Sequence, residues 1–291
     1  MKYIDKIYGE FELLGVIEEL IKTSVFQRLK KIHQGGAIFL INPKINHTRF
    51  EHSIGVMLLI RKLGGSIEEQ IAGLIHDISH TAFSHLVDYV FDIEEEDYHE
   101  KRFEEVLRDK ALDDVLKKYG FEVSKFIEIE NYPILEYPLP NLSADRIDYT
   151  LRDLFQIGEI SRKEILWFLD GLKIYEDRIV LISEQYGKWF QAKYEFLVSA
   201  YFGAKENKAV NVLMKQIVKD CLKKGIIQED DFYQDDFYLM NKINRFINLN
   251  EQIDKIKEME IATAAFVQKK RMVNPEILVN NRVMKLSEVL E

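Results

Sequence analysis

The sequence contains a single cysteine, Cys221, and only five prolines in 291 residues. One cysteine excludes an intrachain disulfide, as expected of a protein that works in the reducing cytoplasm. Apolar residues never run uninterrupted for more than five positions, as in AIFLI and VMLLI, whereas a membrane-spanning helix needs roughly 18. The opening MKYIDKIYGEFELL lacks the apolar core of a signal peptide, so neither membrane insertion nor export is expected.

Positive charge is also scarce. The chain has 40 lysines and arginines against 49 aspartates and glutamates, a net charge of −9. Non-specific binding to DNA or RNA depends on neutralising phosphates with basic side chains, so no stable nucleic-acid binding is expected. A pocket for one small phosphate compound needs only a few cations and is compatible with this balance. Hydrophobic residues make up 47% of the chain, which is enough for a large core.

Histidine, by contrast, is concentrated in one region. All seven histidines lie within the first 99 residues of the chain, at positions 33, 47, 52, 76, 80, 85 and 99. Five of them fall in the stretch from Asn46 to Asp88. This stretch is therefore the first place to look for a functional site.

The first candidate ligand in it is His52. Apolar residues follow at Val56, Leu59 and Leu63, and this spacing predicts an amphipathic helix with the imidazole on its inner face. A lone inward-facing histidine is more often a core residue hydrogen-bonded to a carbonyl than a metal ligand. His52 alone does not indicate a metal.

A second helix supplies two more candidates. It is predicted to begin at Ser66, where Ser-Ile-Glu-Glu fits a capping box with Glu69, and its last turn carries His76 and Asp77. Both side chains can reach one ion off the helix end, and imidazole with carboxylate suits a divalent transition metal. An aspartate buried beside several histidines is costly unless a positive charge compensates it. Together with His52, the pair predicts a metal centre.

The order of these residues resembles a known signature. His52, the pair His76-Asp77 and Asp145 resemble the H…HD…D pattern of the HD-domain metal-dependent phosphohydrolases. The segments RFEHSIGV, HDISHTAFSH and ADRIDYTLRD are similar to the branch that contains the dGTPases and the SAM-and-HD-domain dNTP triphosphohydrolases. The resemblance implies that Asp145 is a fourth ligand. It also implies one or two divalent ions per subunit, of Mn, Mg, Fe, Ni, Co or Zn, and self-association into homo-oligomers.

Four residues are candidates for catalysis. His85 and Asp88 lie three positions apart and share a face on a helix, where the carboxylate can hold the second imidazole nitrogen. This pairing makes His85 a candidate general acid for a leaving oxygen. His80 follows His76 by four residues, and the resemblance places His99 at another active-site histidine. His80, His85 or His99 could also hold a second ion.

The resemblance further implies six substrate-binding residues, which are Gln34, Arg49, Arg146, Tyr149, Asp153 and Lys205. Gln34 corresponds to a contact to the sugar or base, and Tyr149 and Asp153 to sugar contacts. Arg49 and Arg146 correspond to phosphate contacts, for which a planar guanidinium is well suited. For Arg49 the alternative is an ion pair with a nearby glutamate.

Two departures from the family pattern bear on the substrate. Tyr8 stands where the family has a histidine in its Asp-Pro-Ile-His-Gly motif, so an activating guanine nucleotide is not expected. Of the family's later cations on the polyphosphate only Lys205 remains, with no arginine upstream. Fewer cations oppose less phosphate charge, so a monophosphate or other small phosphate ester competes with a triphosphate as the substrate.

The predicted fold is mainly α. An HD-domain helical core is expected over residues 1–160, followed by a smaller C-terminal helical lobe over residues 161–291, packed as one globular unit. Within the lobe, LKIYEDRIVLI predicts a β-hairpin that turns near Glu176-Asp177. A long helix is expected from about 185 to 223, then two or three helices to about 265, and short strands around 270–286.

The predicted function is metal-dependent hydrolysis of a nucleotide. The expected reaction converts a (deoxy)nucleoside triphosphate to nucleoside and tripolyphosphate by attack of metal-activated water. A 5′-nucleotidase or phosphodiesterase activity on a smaller phosphate ester is one alternative. A non-catalytic nucleotide-sensing protein is the other, and its structural metal would have saturated coordination.

Overall fold

Helix dominates the structure, which confirms the mainly α prediction. A computed structural model of the chain describes residues 1–258 and 271–291. Its α-helices are α1 Gly15–Lys22, α2 Ser24–Arg28, α3 Arg49–Lys62, α4 Ile67–Ile75, α5 Leu86–Phe91, α6 Phe103–Leu107, α7 Lys110–Lys118, α8 Ala144–Gln156, α9 Arg162–Asp170, α10 Glu184–Phe196, α11 Lys205–Lys223, α12 Asp236–Asn244, α13 Leu249–Glu258 and α14 Leu286–Leu290. Its strands are β1 Lys2–Asp5, β2 Gly9–Glu12, β3 Leu172–Tyr175, β4 Arg178–Leu181, β5 Glu276–Val279 and β6 Arg282–Lys285.

Helix α3 runs through the centre of the fold. Thr48 begins it with a capping box, in which the Thr48 side chain accepts from the Glu51 backbone and Glu51 accepts in return. Between Phe50 and Ile60 only Glu51 is more than marginally exposed, and α3 packs against both α4 and α8. The predicted helix is confirmed. The prediction that α3 is amphipathic is wrong, because neighbouring elements cover the helix on several sides.

Helix α4 begins at the predicted capping box of Ser66 and Glu69. It approaches α3 closely at Gly73, where an added Cβ would lie 2.5 Å from Cδ1 of Ile60. The helix ends at Ile75, so His76 and Asp77 follow it in a turn instead of occupying its last helical turn. The turn directs both side chains off the helix end.

The described strands form three antiparallel hairpins, two of which join into one mixed sheet. β1 pairs with β2, and β3 pairs with β4 around a turn in which Glu176 and Asp177 have φ angles of 47° and 58°. Two consecutive left-handed residues are the type I′ geometry that suits a tight hairpin, and the predicted turn is confirmed. β4 also pairs in parallel with β5, Leu181 opposite Ile277. The internal hairpin and the terminal strands thus form one four-stranded sheet, in the order β3-β4-β5-β6.

The long helix predicted from about 185 to 223 is interrupted, so that prediction is wrong. Helix α10 continues into a π-helical turn at Leu197–Phe202, and α11 begins only at Lys205. The chain bends at Gly203, where an added Cβ would lie 2.3 Å from the carbonyl oxygen of Ser199. A glycine and a π-turn together are a recognised cause of helix breaks. The predicted helix end near 265 lies outside the described residues.

Two hydrophobic clusters make up the described interior. The larger cluster, which we call the main core, surrounds α3, α4 and α8 and extends to the four-stranded sheet. The smaller one, the second cluster, is built from α11, α12 and α13 with α5. Both draw residues from either side of position 160, and the division there stays a prediction. Within the described ranges, no helix has the length and apolar character that crossing a bilayer requires.

Candidate metal centre

A cavity of about 700 Å³ lies where the main core and the second cluster meet. Most residues that the sequence singled out line it, namely His76, Asp77, His80, His85, His99, Asp145, Gln34, Arg49, Arg146, Tyr149 and Asp153. His52 lies behind the wall, fully buried. The volume falls within the range of pockets that hold nucleotide-sized ligands.

His52 is oriented from both ring nitrogens. Its Nδ1 lies 2.8 Å from Oδ1 of Asp148, and its Nε2 lies 2.9 Å from Oδ1 of Asp145. Burial disfavours a charged imidazole, but the carboxylates of Asp145 and Asp148 outweigh it and raise the pKa of His52 to about 9. Donation from Nδ1–H to Asp148 would leave the Nε2 lone pair directed at the site, as in carboxylate-oriented metal ligands.

His76 presents a second nitrogen to the same point. Its Nδ1 lies 2.9 Å from the Gly73 carbonyl oxygen and must donate to it, which leaves Nε2 unprotonated in the neutral ring. That Nε2 is buried without a hydrogen-bond partner among the described residues. It lies 3.5 Å from Oδ1 of Asp77 and 3.6 Å from Oδ1 of Asp145. A buried nitrogen lone pair facing two carboxylates is the environment of a metal ligand.

The donor set fits a divalent ion. One ligand atom from each of His52, His76 and Asp77 lies within 4.8 Å of the others, and Asp145 adds an oxygen beside both imidazoles. Burial works against ionising Asp77, but Arg49 foremost lowers the pKa of this carboxyl, which therefore carries negative charge. Two imidazoles and two carboxylates suit manganese, iron, cobalt, nickel or zinc.

Arg49 contacts the site from one helical turn before His52. Its Nη1 donates to Oδ2 of Asp77 at 2.6 Å, and its Nε donates to Oγ of Ser84 at 3.0 Å. The sequence allowed either a phosphate contact or an ion pair with a glutamate. The structure shows an ion pair, but with Asp77, and it leaves Arg49 at the cavity wall.

The remaining histidines form a cluster beside the centre. Nδ1 of His85 lies 3.1 Å from Oδ2 of Asp88, whose other oxygen accepts from the backbone N–H of Tyr98. The rings of His80 and His99 stack with centroids 3.9 Å apart. Burial lowers the pKa of His99 to about 3 and that of His80 as well, so both are neutral near pH 7. His80 lies 3.4 Å from Oδ1 of Asp77, whereas His85 forms a hydrogen bond with Asp88 and its side chain is 29% exposed at the cavity.

Three predicted sugar or base contacts lie in the cavity wall. Oε1 of Gln34 is buried without a hydrogen-bond partner among the described residues. The hydroxyl of Tyr149 lies 3.1 Å from that of Tyr194. Oδ1 of Asp153 lies 3.1 Å from Nε2 of His47, a histidine to which the sequence assigned no role.

The predicted phosphate contacts are placed differently. Nη1 of Arg146 donates to the carbonyl oxygens of Tyr137 and Asn141, at 3.0 and 2.7 Å. Lys205 has an exposed side chain at the start of α11 and is not among the residues that line the cavity. In its place Arg271 reaches the cavity and donates to Glu96. Sequence reasoning missed Arg271 because it lies far from every recognised motif.

Comparison with known proteins agrees with this geometry. The family model for the HD domain matches residues 49–153, from Arg49 to Asp153. The Bacillus subtilis protein YdhJ is 41% identical over all of this chain and 93% of its own length. The chain belongs to the HD-domain phosphohydrolase family.

Other relatives match a smaller part of the chain. The metal-dependent phosphohydrolase cns2 of Cordyceps militaris is 39% identical over 59% of this chain and 50% of its own length. The bovine deoxynucleoside triphosphate triphosphohydrolase SAMHD1 is 36% identical over 41% of this chain and 24% of its own length. A crystal structure of a hypothetical protein from Aquifex aeolicus shares the fold, with a TM-score of 0.75 at 20% identity over 99% of this chain and 91% of that one.

In this HD-domain protein a buried ion pair lies behind the candidate metal ligands. Arg152 donates to both oxygens of Asp148 at 2.9 Å and to Asp5 of the N-terminal hairpin at 3.2 Å. Asp148 in turn holds His52. The sequence analysis missed Asp148, although its spacing of four from Arg152 on one helix was a usable signal.

Gly55 provides the space for this ion pair. An added Cβ there would lie 2.0 Å from Nη2 of Arg152 and 2.2 Å from Oδ2 of Asp148. We expect Gly55→Ala to lower the free energy of unfolding by about 1–3 kcal/mol through overpacking and to weaken metal binding by moving Asp148. Thermal melts and metal titration measure both effects. Ser53→Ala on the same helix is the control, because its buried hydroxyl has no partner among the described residues. Equal behaviour of the two variants would contradict the packing argument.

Proposed function

We propose that the protein hydrolyses a nucleotide phosphate ester at a divalent ion held by His52, His76, Asp77 and Asp145. The observation that carries the proposal is the unpartnered Nε2 of His76, buried beside two carboxylates at the wall of a nucleotide-sized cavity. Membership of the family supports the assignment as a hydrolase. The proposed substrate class is argued from the cavity.

A divalent ion bound there would lower the pKa of a water molecule and offset negative charge on the phosphoryl group. The water oxygen forms the new bond to phosphorus and loses a proton to solvent, and the ester P–O bond breaks. His85 donates a proton to the departing oxygen, while Asp88 holds the ring through Nδ1. Arg49 orients Asp77 and presents the rest of its guanidinium to the phosphoryl oxygens.

The charge of the cavity favours a small phosphate ester over a triphosphate. Nine carboxylate side chains but only four lysine or arginine side chains are among its described lining residues. Three of those four cations already donate hydrogen bonds within the protein, Arg49 to Asp77, Arg146 to backbone carbonyls and Arg271 to Glu96. A triphosphate would bring several negative charges into surroundings with few cations to oppose them. We therefore place a nucleoside monophosphate first.

A (deoxy)nucleoside triphosphate, cut to nucleoside and tripolyphosphate, is the second candidate. Its support is the name of two relatives, the bovine SAMHD1 and its Dictyostelium discoideum homologue, which is 28% identical over 62% of this chain. The HD-domain match over residues 49–153 includes the proposed ligands and ends before α11. The exposed position of Lys205 removes one cation on which this candidate depended.

One assay separates these candidates. The purified protein would be analysed for bound metal, then reloaded with each divalent ion and incubated with a panel of nucleoside mono-, di- and triphosphates. Orthophosphate from monophosphates supports the first proposal, and tripolyphosphate with free nucleoside supports the second. Nucleotide binding without turnover under every metal would favour a sensing role. Homo-oligomer formation, predicted from the sequence, is measured on the same sample by light scattering.

Arg271 offers a test of phosphate recognition in the cavity. We expect Arg271→Ala to raise KM roughly 10-fold, in line with the loss of one charged hydrogen bond, and to change kcat little. Glu96→Gln should lower KM, because it removes the carboxylate that competes for the guanidinium. Steady-state kinetics on the best substrate measures both.

Arg282→Ala is the control, since that arginine is exposed in the same C-terminal segment. Lys205→Ala is expected to behave like this control, contrary to the role that the sequence suggested for Lys205. A KM for Arg271→Ala equal to that of Arg282→Ala would remove Arg271 from the substrate site.

A further inference from the structure

A strained turn lies between the predicted catalytic histidines. Phe83 and Ser84 have φ angles of 58° and 52°, in the left-handed region that non-glycine residues seldom occupy. Such a backbone conformation persists only where its surroundings hold it. Both residues line the cavity, and His85 follows directly. Something outside the turn has to hold it in place.

The holding group is Asp236, the first residue of α12. Its carboxylate is fully buried. Oδ1 accepts from the backbone N–H of Phe83 at 2.6 Å. Oδ2 accepts from the backbone N–H of His33 at 2.9 Å and lies 2.7 Å from Nδ1 of the same residue. One side chain from the second cluster therefore connects two loops of the cavity wall.

Asp236 is not needed to cap its own helix. The neighbouring Asp235 does that, because its side chain accepts from the backbone N–H of Tyr238 at 2.9 Å. A carboxylate in the first turn of a helix ordinarily faces water and interacts favourably with the positive end of the helix dipole. That of Asp236 is instead turned inward, and its three short contacts are all made far away in the sequence.

The contacts continue from this turn to the metal centre. Ser84 donates through Oγ to the carbonyl oxygen of His33 at 2.7 Å and accepts from Nε of Arg49 at 3.0 Å. Arg49 then donates to Asp77 at 2.6 Å. The direction of Arg49, and with it that of Asp77, thus depends on a turn that Asp236 fixes. Asp236 itself does not line the cavity.

We propose that Asp236 is a positioning residue for the metal centre, which acts by holding the Phe83-Ser84 turn so that Arg49 and His85 face the site. The inference assigns a functional role to α12, none of whose residues lines the described cavity. The expected loss of kcat rests on the proposed phosphohydrolase function, whereas the expected loss of metal affinity does not.

The test is Asp236→Asn, with Asp235→Asn as the matched control. The amide has the shape of the carboxylate, but one of its two terminal groups is a donor, so either Phe83 or His33 loses its acceptor. We expect kcat to fall roughly 10- to 100-fold, as for other outer partners of metal ligands, with KM changed less than about threefold. Metal affinity should weaken by a similar factor. Asp235→Asn, which makes the same chemical change at the same helix end, should leave both nearly unchanged.

Stability is monitored separately by thermal melts, and kinetics are run well below the melting temperature. If Asp236→Asn fails to fold, Ser84→Ala replaces it, because this change breaks the contact to Arg49 without touching α12. If the wild-type protein turns over no nucleotide, metal affinity alone decides the question. A folded Asp236→Asn protein with the kcat and metal affinity of Asp235→Asn would overturn the proposal.

Discussion

Asp77→Ala is expected to abolish metal binding and lower turnover by about 10³-fold or more, since the proposed ion would both activate the water nucleophile and stabilise negative charge. The change takes away an ionised ligand and also leaves Arg49 without its carboxylate partner, 2.6 Å away. A cation beside the empty coordination position would further disfavour a divalent ion. Metal content by elemental analysis and the rate of phosphate release measure the two losses.

The control for this variant is Asp113→Ala. Asp113 lies on α7 and pairs on the surface with Lys117, so its loss removes the same charge from the chain without touching the centre. Such exposed pairs contribute little to stability. An Asp77→Ala protein that retained metal and activity would contradict the ligand assignment. Loss of metal with activity retained would instead show that the reaction proceeds without the ion.

His85→Gln is expected to lower kcat by roughly 10²- to 10⁴-fold, the usual contribution of a general acid. Glutamine keeps a polar group in the space but cannot pass a proton to the departing oxygen. His85 is not among the proposed ligands, so metal content should remain at the wild-type level. This separation of activity from metal content distinguishes the variant from Asp77→Ala.

Asp88→Asn provides a graded comparison. It keeps the imidazole but weakens the contact to Nδ1, 3.1 Å away in the structure, so a smaller loss than that of His85→Gln is expected. Substrates with good leaving groups, such as a nitrophenyl phosphate, should be affected less, because their leaving oxygen needs no proton. If His85→Gln lost the same factor on such substrates as on nucleotides, the general-acid role would be wrong.

The sequence predicted the local features of the fold well. The capping box of Ser66 and the tight turn at Glu176-Asp177 are both found, because each depends on hydrogen bonds and backbone angles within a few residues. The helix break at Gly203 was missed. A lone glycine is tolerated within helices, and only the close contact with Ser199 in the folded chain shows that a side chain there cannot be accommodated.

For the candidate site too, some residues were predicted from the sequence and others were not. His52, His76 and Asp77 were predicted from their spacing, and Asp145 from the family resemblance. Glu136, in the irregular stretch YPILEYPLP, carried no signal, yet it lines the cavity, and burial and the nearby Asp145 carboxylate raise its pKa. Asp236 likewise looked like any acidic residue at a helix start.

The sequence alone therefore determined the helical class and the local caps and turns, and it predicted the histidines and aspartates proposed to hold an ion. Only the tertiary structure decided that Arg49 pairs with Asp77, that Lys205 is exposed while Arg271 reaches the cavity, and that a carboxylate from α12 holds the Phe83-Ser84 turn. The physical reason is the separation in sequence between the residues that interact. Caps and turns depend on neighbours in the chain, whereas buried ion pairs depend on which distant elements pack together.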